Sequence, residues 1–118
     1  MAGGGEPRVV EARCVDRVEA RGRVESVCPV SGVVDTYEVV VEYQPPQGHG
    51  VGICRYLEAY SLHRLLESYR GRRILQEELT ADLAEKLCTA LGPGARVKVA
   101  TRGPHGPVEL EATVEKQC

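Results

Sequence analysis

The hydrophobic spacing of this chain changes period twice, and that restricts its fold more than any other feature. Residues 35–43, Asp-Thr-Tyr-Glu-Val-Val-Val-Glu-Tyr, place Tyr37, Val39, Val41 and Tyr43 on one side and Glu38, Val40 and Glu42 on the other. Such period-two alternation marks a half-buried strand. From Leu57 to Tyr69 the Leu and Tyr residues recur at helical spacing, which predicts an amphipathic helix stopped near Arg70-Gly71. A second helix is expected from Gln76 to Leu91, where Leu79, Leu83, Leu87 and Leu91 form a stripe and Gly92-Pro93-Gly94 ends it. Alternation returns in Ala95–Thr101 and Val108–Glu115, on either side of a turn at Gly103–Pro107.

Ahead of the clearest strand, Val18–Val27 alternates in part and Arg8–Ala12 could form one short strand. The expected order is hairpin, two helices, hairpin. That order predicts an α+β architecture, an antiparallel sheet with both helices on one face. At 118 residues the chain is one domain, expected over 8–118 behind a frayed tail at 1–7. With no Trp or Phe and five Tyr, aliphatic side chains must fill most of the core. No apolar run approaches the roughly 20 residues that span a bilayer, and the first residues lack the pattern of a secretory signal. The expectation is a cytoplasmic protein with no membrane partner.

The net charge of −2 implies no global attraction to nucleic acid. Arg64, Arg70, Arg72 and Arg73 nevertheless fall close together, either as a solvated helix end or as a local phosphate-binding patch. The five cysteines, at 14, 28, 54, 88 and 118, are odd in number and none is close to another. Free thiols in a reducing cytosol are therefore expected rather than a disulfide framework. No C-x-x-C spacing occurs and the three histidines are scattered, so no metal site is expected.

The stretch Cys28-Pro-Val-Ser-Gly-Val-Val-Asp35 places a thiol at a strand end and a carboxylate where the next strand begins. A thiolate is a nucleophile, and a carboxylate across a tight turn can take its proton and deliver it to a developing anion. The pair is the candidate catalytic set. Glu58 and Glu77 open the two helices, where acids favour the helix dipole or could grip the N–H edge of a planar heterocycle.

These residues resemble the QueF family of 7-cyano-7-deazaguanine (nitrile) reductases over about 25–115. The resemblance rests on Cys28 to Asp35, on the strand ending Tyr43-Gln-Pro, on Leu57-Glu58-Ala-Tyr-Ser61-Leu62-His-Arg-Leu65-Leu66 and on Gln76-Glu77-Glu78. It implies the tunnelling fold, β-β-α-α-β-β, shared with GTP cyclohydrolases. Its subunits form homo-oligomeric rings, stacked pentamers, with active sites between neighbours. It also implies that Cys28 attacks the nitrile carbon of 7-cyano-7-deazaguanine to give a thioimide while Asp35 moves the proton, and that Glu58, Gln76 and Glu77 hold the base. The chain departs from the reductase motif at Tyr60 and His63, which stand where reductases carry lysines of the NADPH-binding segment, and at Gln76, which replaces a His. These departures point to the QueF-like archaeal amidinotransferase branch, which adds ammonia to the nitrile on tRNA and forms archaeosine. The implied partners are tRNA, the nitrile base and ammonia, with no cofactor, and the arginine patch would contact tRNA phosphates. An NADPH-dependent reductase and a non-catalytic module binding a base or RNA are the alternatives.

Overall fold

A computed structural model describes residues 6–118. Most of the expected tail, residues 1–5, lies outside the described residues, and Pro7 is already buried. The sheet is built from β2 (Val18–Val27), β3 (Val34–Gln44), β5 (Arg96–His105) and β6 (Val108–Gln117), antiparallel throughout, in the order β2-β3-β5-β6. The alternation read from the sequence decides which side is covered. Tyr37, Val39, Val41 and Tyr43 of β3 and Val97 and Val99 of β5 are buried, while Glu38, Lys98 and Arg102 lie on the open face.

Both helices cover the buried side. α1 (Ala59–Glu67) packs on β2, and α2 (Gln76–Leu91) packs on β5 and β6. The stripe Leu79, Leu83, Leu87 and Leu91 is fully enclosed. Tyrosines take the place of the missing Phe and Trp, and each buried hydroxyl finds a partner, as a buried phenol requires. Tyr37 donates to Asp35, Tyr69 donates to Asp82, and Tyr43 accepts from the Leu57 N–H. α2 has no basic residue in its last turn. Arg55 substitutes from outside the helix, donating to the Leu91 and Ala90 carbonyls that the helix end leaves open.

The structure differs from the sequence expectation in its strands and in its thiols. β5 continues through Gly103 to His105, so the turn expected at Gly103–Pro107 narrows to Gly106-Pro107. β4 (Ile53–Leu57) is a strand where the expected helix was to begin, and it pairs with β1 (Val9–Arg13) in a separate two-stranded sheet. Leu57 supplies apolar spacing to both elements, so the pattern ran unbroken into the helix. β1's partner lies more than forty residues downstream (Val9↔Leu57), beyond any local signal. The second difference is covalent. Cys14 is bonded to Cys54 and Cys88 to Cys118, leaving Cys28 as the one free cysteine among the described residues. The expectation of five free thiols is therefore wrong. Sequence separations of 40 and 30 hide pairings that exist only once β1 lies on β4 and the C-terminus returns to α2.

Among the described residues no helix is long and apolar enough to cross a membrane.

Candidate active site

Cys28 follows the last residue of β2, an edge strand of the four-stranded sheet. Two backbone hydrogen bonds close the turn that carries it: the Cys28 N–H donates to the Val33 carbonyl, and the Gly32 N–H donates to the Cys28 carbonyl. Gly32 takes φ 77°, a left-handed conformation that glycine adopts without strain. The Ser31 hydroxyl oxygen accepts from the Val33 N–H at 3.2 Å, which leaves its proton for the thiol. Hydrogen bonds from the Ser31 hydroxyl, then from the Ser31 and Val30 N–H groups, hold the Cys28 thiol below its ordinary range. Burial and the charge of Asp35 push the other way and are outweighed. The turn is thus a small anion nest around the sulfur, on a side chain that is itself buried.

Asp35 stands one residue into β3, paired in register with Ser26 of β2. It is buried, accepts from the Tyr37 hydroxyl at 3.3 Å, and has the His105 Nδ1 at 3.5 Å. The thiol and carboxylate expected across the turn are therefore brought to one end of the sheet, close enough for Asp35 to act on the sulfur electrostatically. Ser31 and Tyr37, which complete this arrangement, were not singled out in the sequence. Ser31 could have been, since a hydroxyl three residues beyond a nucleophilic Cys in a closed turn is placed to bond the thiolate.

The base-binding candidates are elsewhere in the single chain. Glu58 caps α1, accepting from the Tyr60 and Ser61 N–H groups, and these bonds lower its pKa. It stands at the start of α1, whereas the Cys28 turn adjoins the segment after that helix, through the Val27–Arg72 and Ile74–Val27 backbone bonds. The two are separated by roughly the 14 Å length of a nine-residue helix. Gln76 is buried at the start of α2, where its amide N–H groups donate to the Thr101 carbonyl and hydroxyl and to the Leu110 carbonyl. Its carbonyl oxygen has no partner. Glu77 is exposed and lines a cleft with Gln76 and residues 110–114 of β6, the opposite edge of the sheet from Cys28. Three strand spacings separate those edges, about 14 Å.

The arginines divide. Arg70 pairs with Glu67 and Glu25, and Arg72 with Asp82. Arg64 and Arg73 are exposed and make no ion pair among the described residues.

Removing the Ser31 hydroxyl takes away the largest influence that lowers the Cys28 pKa. In Ser31→Ala the thiolate should therefore appear at higher pH than in the parent. The measurement is thiolate ultraviolet absorbance against pH, with Cys28→Ala as the blank. An unmoved midpoint would show that the hydroxyl does not serve the sulfur.

No family model matches the chain. An archaeosine synthase of Pyrobaculum calidifontis is 40% identical over 108 residues, which cover 92% of this chain and 90% of that protein. The crystal structure of the archaeosine synthase QueF-Like in the apo form superposes with a TM-score of 0.76 at 40% identity, covering 87% of this chain and 95% of the other. Sequence and fold agree over nearly the whole length of both chains, and the chain belongs to the archaeosine synthase family of enzymes.

Proposed function

We propose that this enzyme converts the nitrile of 7-cyano-7-deazaguanine, already carried by tRNA, into the formamidine of archaeosine by amidino transfer through Cys28. The observation that carries the reading is a buried free thiol, held below its ordinary pKa by the Ser31 hydroxyl and neighbouring N–H groups, beside a buried carboxylate. The Cys28 sulfur adds to the nitrile carbon, and Asp35 carries the proton to the nitrile nitrogen. The product is a thioimide, a better electrophile than the nitrile. Ammonia attacks the same carbon and the thiolate leaves as the amidine forms, so one hard addition is split into two easier steps. Neither step transfers a hydride, so the reaction requires no NADPH.

In this reading the base is held by Glu77 and Gln76 of a neighbouring chain. β2 and β6 are both ten-residue edge strands, and an open edge is a template for pairing with another chain. Joining β2 of one copy to β6 of the next would close a ring and bring Glu77 of one subunit toward Cys28 of the other. Glu58, engaged as the α1 cap a helix length away from Cys28, stays at the periphery of the pocket in this reading and does not grip the base. Arg64 and Arg73, the unpaired members of the patch, are the stronger candidates for tRNA phosphates. Arg70 and Arg72 would have to exchange a carboxylate for a phosphate. Such contacts should make tRNA binding weaken as salt rises.

The test supplies tRNA bearing the nitrile base with ammonium and without NADPH. Formamidine in the digested tRNA is the expected product. NADPH-dependent formation of an aminomethyl product instead would favour a reductase. Binding of the base with no covalent chemistry would favour a non-catalytic module.

A further inference from the structure

Asp35 is only 9% exposed at its side chain, while His105, 3.5 Å away, is 38% exposed. His105 ends β5, and continuing the β3–β5 register past Glu38↔Arg102 sets it opposite Asp35. The approach depends on Gly103. A Cβ there would sit 2.7 Å from the Thr36 carbonyl oxygen and 3.0 Å from the Tyr37 ring, inside contact distance with backbone that cannot give way. The His105 Nδ1 is buried and has no hydrogen-bond partner, although the Asp35 carboxylate lies just beyond bonding range. A buried polar nitrogen without a partner is costly. Here a tightening of about half an ångström would give it one.

We propose that His105 is a positioning residue that acts through Asp35, passing protons between the buried carboxylate and solvent during the covalent cycle. The inference rests on the amidino-transfer reading. When the thioimide forms, a carbon–sulfur bond is made, one carbon–nitrogen π bond breaks, and the thiol proton reaches the nitrile nitrogen through Asp35. That step is closed within the pair and needs no exchange with solvent. The second step differs. Nitrogen bonds to carbon, the carbon–sulfur bond breaks with its electron pair on sulfur, and one ammonia proton returns to the sulfur. Nitrogen arriving as ammonium must first give up a proton to free its lone pair, and the strongly basic amidine takes one up only after it has formed. In between, that proton needs a carrier beyond the Cys28–Asp35 pair. Tyr37 cannot carry it as an anion, because burial and then the Asp35 charge push its pKa up to about 12. Among the described residues, His105 is the ionisable side chain that both approaches Asp35 and reaches solvent. An imidazole gains and loses protons near neutral pH.

Single-turnover kinetics with nitrile-bearing tRNA separate the two steps. In His105→Ala and His105→Gln, thioimide formation should stay within about threefold of the parent. Breakdown of the preformed thioimide by ammonium should slow by about a hundredfold, the scale of a lost proton-transfer group. Added imidazole should restore much of that loss in His105→Ala. Breakdown at the parental rate overturns the proposal. So does slowing of both steps alike, or slowing that imidazole does not relieve, since either marks a merely structural role. His105→Gln keeps a polar side chain at the end of β5, so a folding defect confined to the alanine variant leaves the test standing. A parent enzyme that forms no thioimide would instead sink the amidino-transfer reading itself.

Discussion

Cys28→Ala should leave a folded chain that forms no covalent adduct with 7-cyano-7-deazaguanine and makes amidine at least on the order of 10^4-fold more slowly. Loss of a nucleophile has effects of this size or larger in enzymes whose intermediate is covalent. The two disulfides make the experiment unusually clean. Four of the five cysteine sulfurs are already joined in two pairs, so intact-mass analysis of the oxidised protein reports on the Cys28 thiol. The substitution removes one sulfur atom from a buried position and should cost only about 1 kcal/mol of stability, the usual scale of a single replacement. An adduct that persists in Cys28→Ala would place the nucleophile elsewhere. Asp35→Asn is the companion variant. It keeps the shape and an acceptor for the Tyr37 hydroxyl but cannot take up a proton, so adduct formation should slow while the thiol remains.

How much of this could be read without coordinates depends on the range of the interaction involved. The bounds of α2 were legible, because the leucine stripe and the Gly-Pro-Gly stop are both local. The buried side of β3 was legible for the same reason, since alternation alone decides which residues face the helices. Cys28 and Asp35 were legible as a pair because one turn joins them. The β1–β4 ribbon, both disulfides and the approach of His105 to Asp35 were not. Each is made by segments at least thirty residues apart, and no periodicity encodes such a meeting. Glu58 and Glu77 fall between these cases. Their places at two helix starts were correct, but one carboxylate is occupied as a cap and the other faces the far edge of the sheet. A helix N-terminus attracts an acid for its own stability, so the residue type alone cannot separate a cap from a ligand.

Loss of the disulfides should have the largest effect on stability. Cys14–Cys54 and Cys88–Cys118 close loops of 40 and 30 residues, and the chain-entropy relation assigns each about 4 kcal/mol. Together they rival the whole stability of an ordinary domain, about 5–15 kcal/mol. For a chain of this length, about 4 kcal/mol corresponds to a fall in Tm of roughly 15 °C per bond. The two bonds should also differ in what they release. Cys14–Cys54 holds a two-stranded ribbon, an element that is marginal alone in water; its loss should first expose the β1 amides to hydrogen exchange. Cys88–Cys118 ties the end of β6, an edge strand, to α2. Its loss should loosen that edge, where Glu77 lies, and so weaken assembly if the ring closes through β6. Cys14→Ser/Cys54→Ser and Cys88→Ser/Cys118→Ser, with parent protein scanned with and without reductant, separate these effects. A parent whose Tm does not move when mass analysis shows both bonds reduced would mean that packing alone holds these segments. Thioimide formation provides the control: reductant leaves the Cys28 sulfur intact, so adduct yield should fall only where the fold itself is lost.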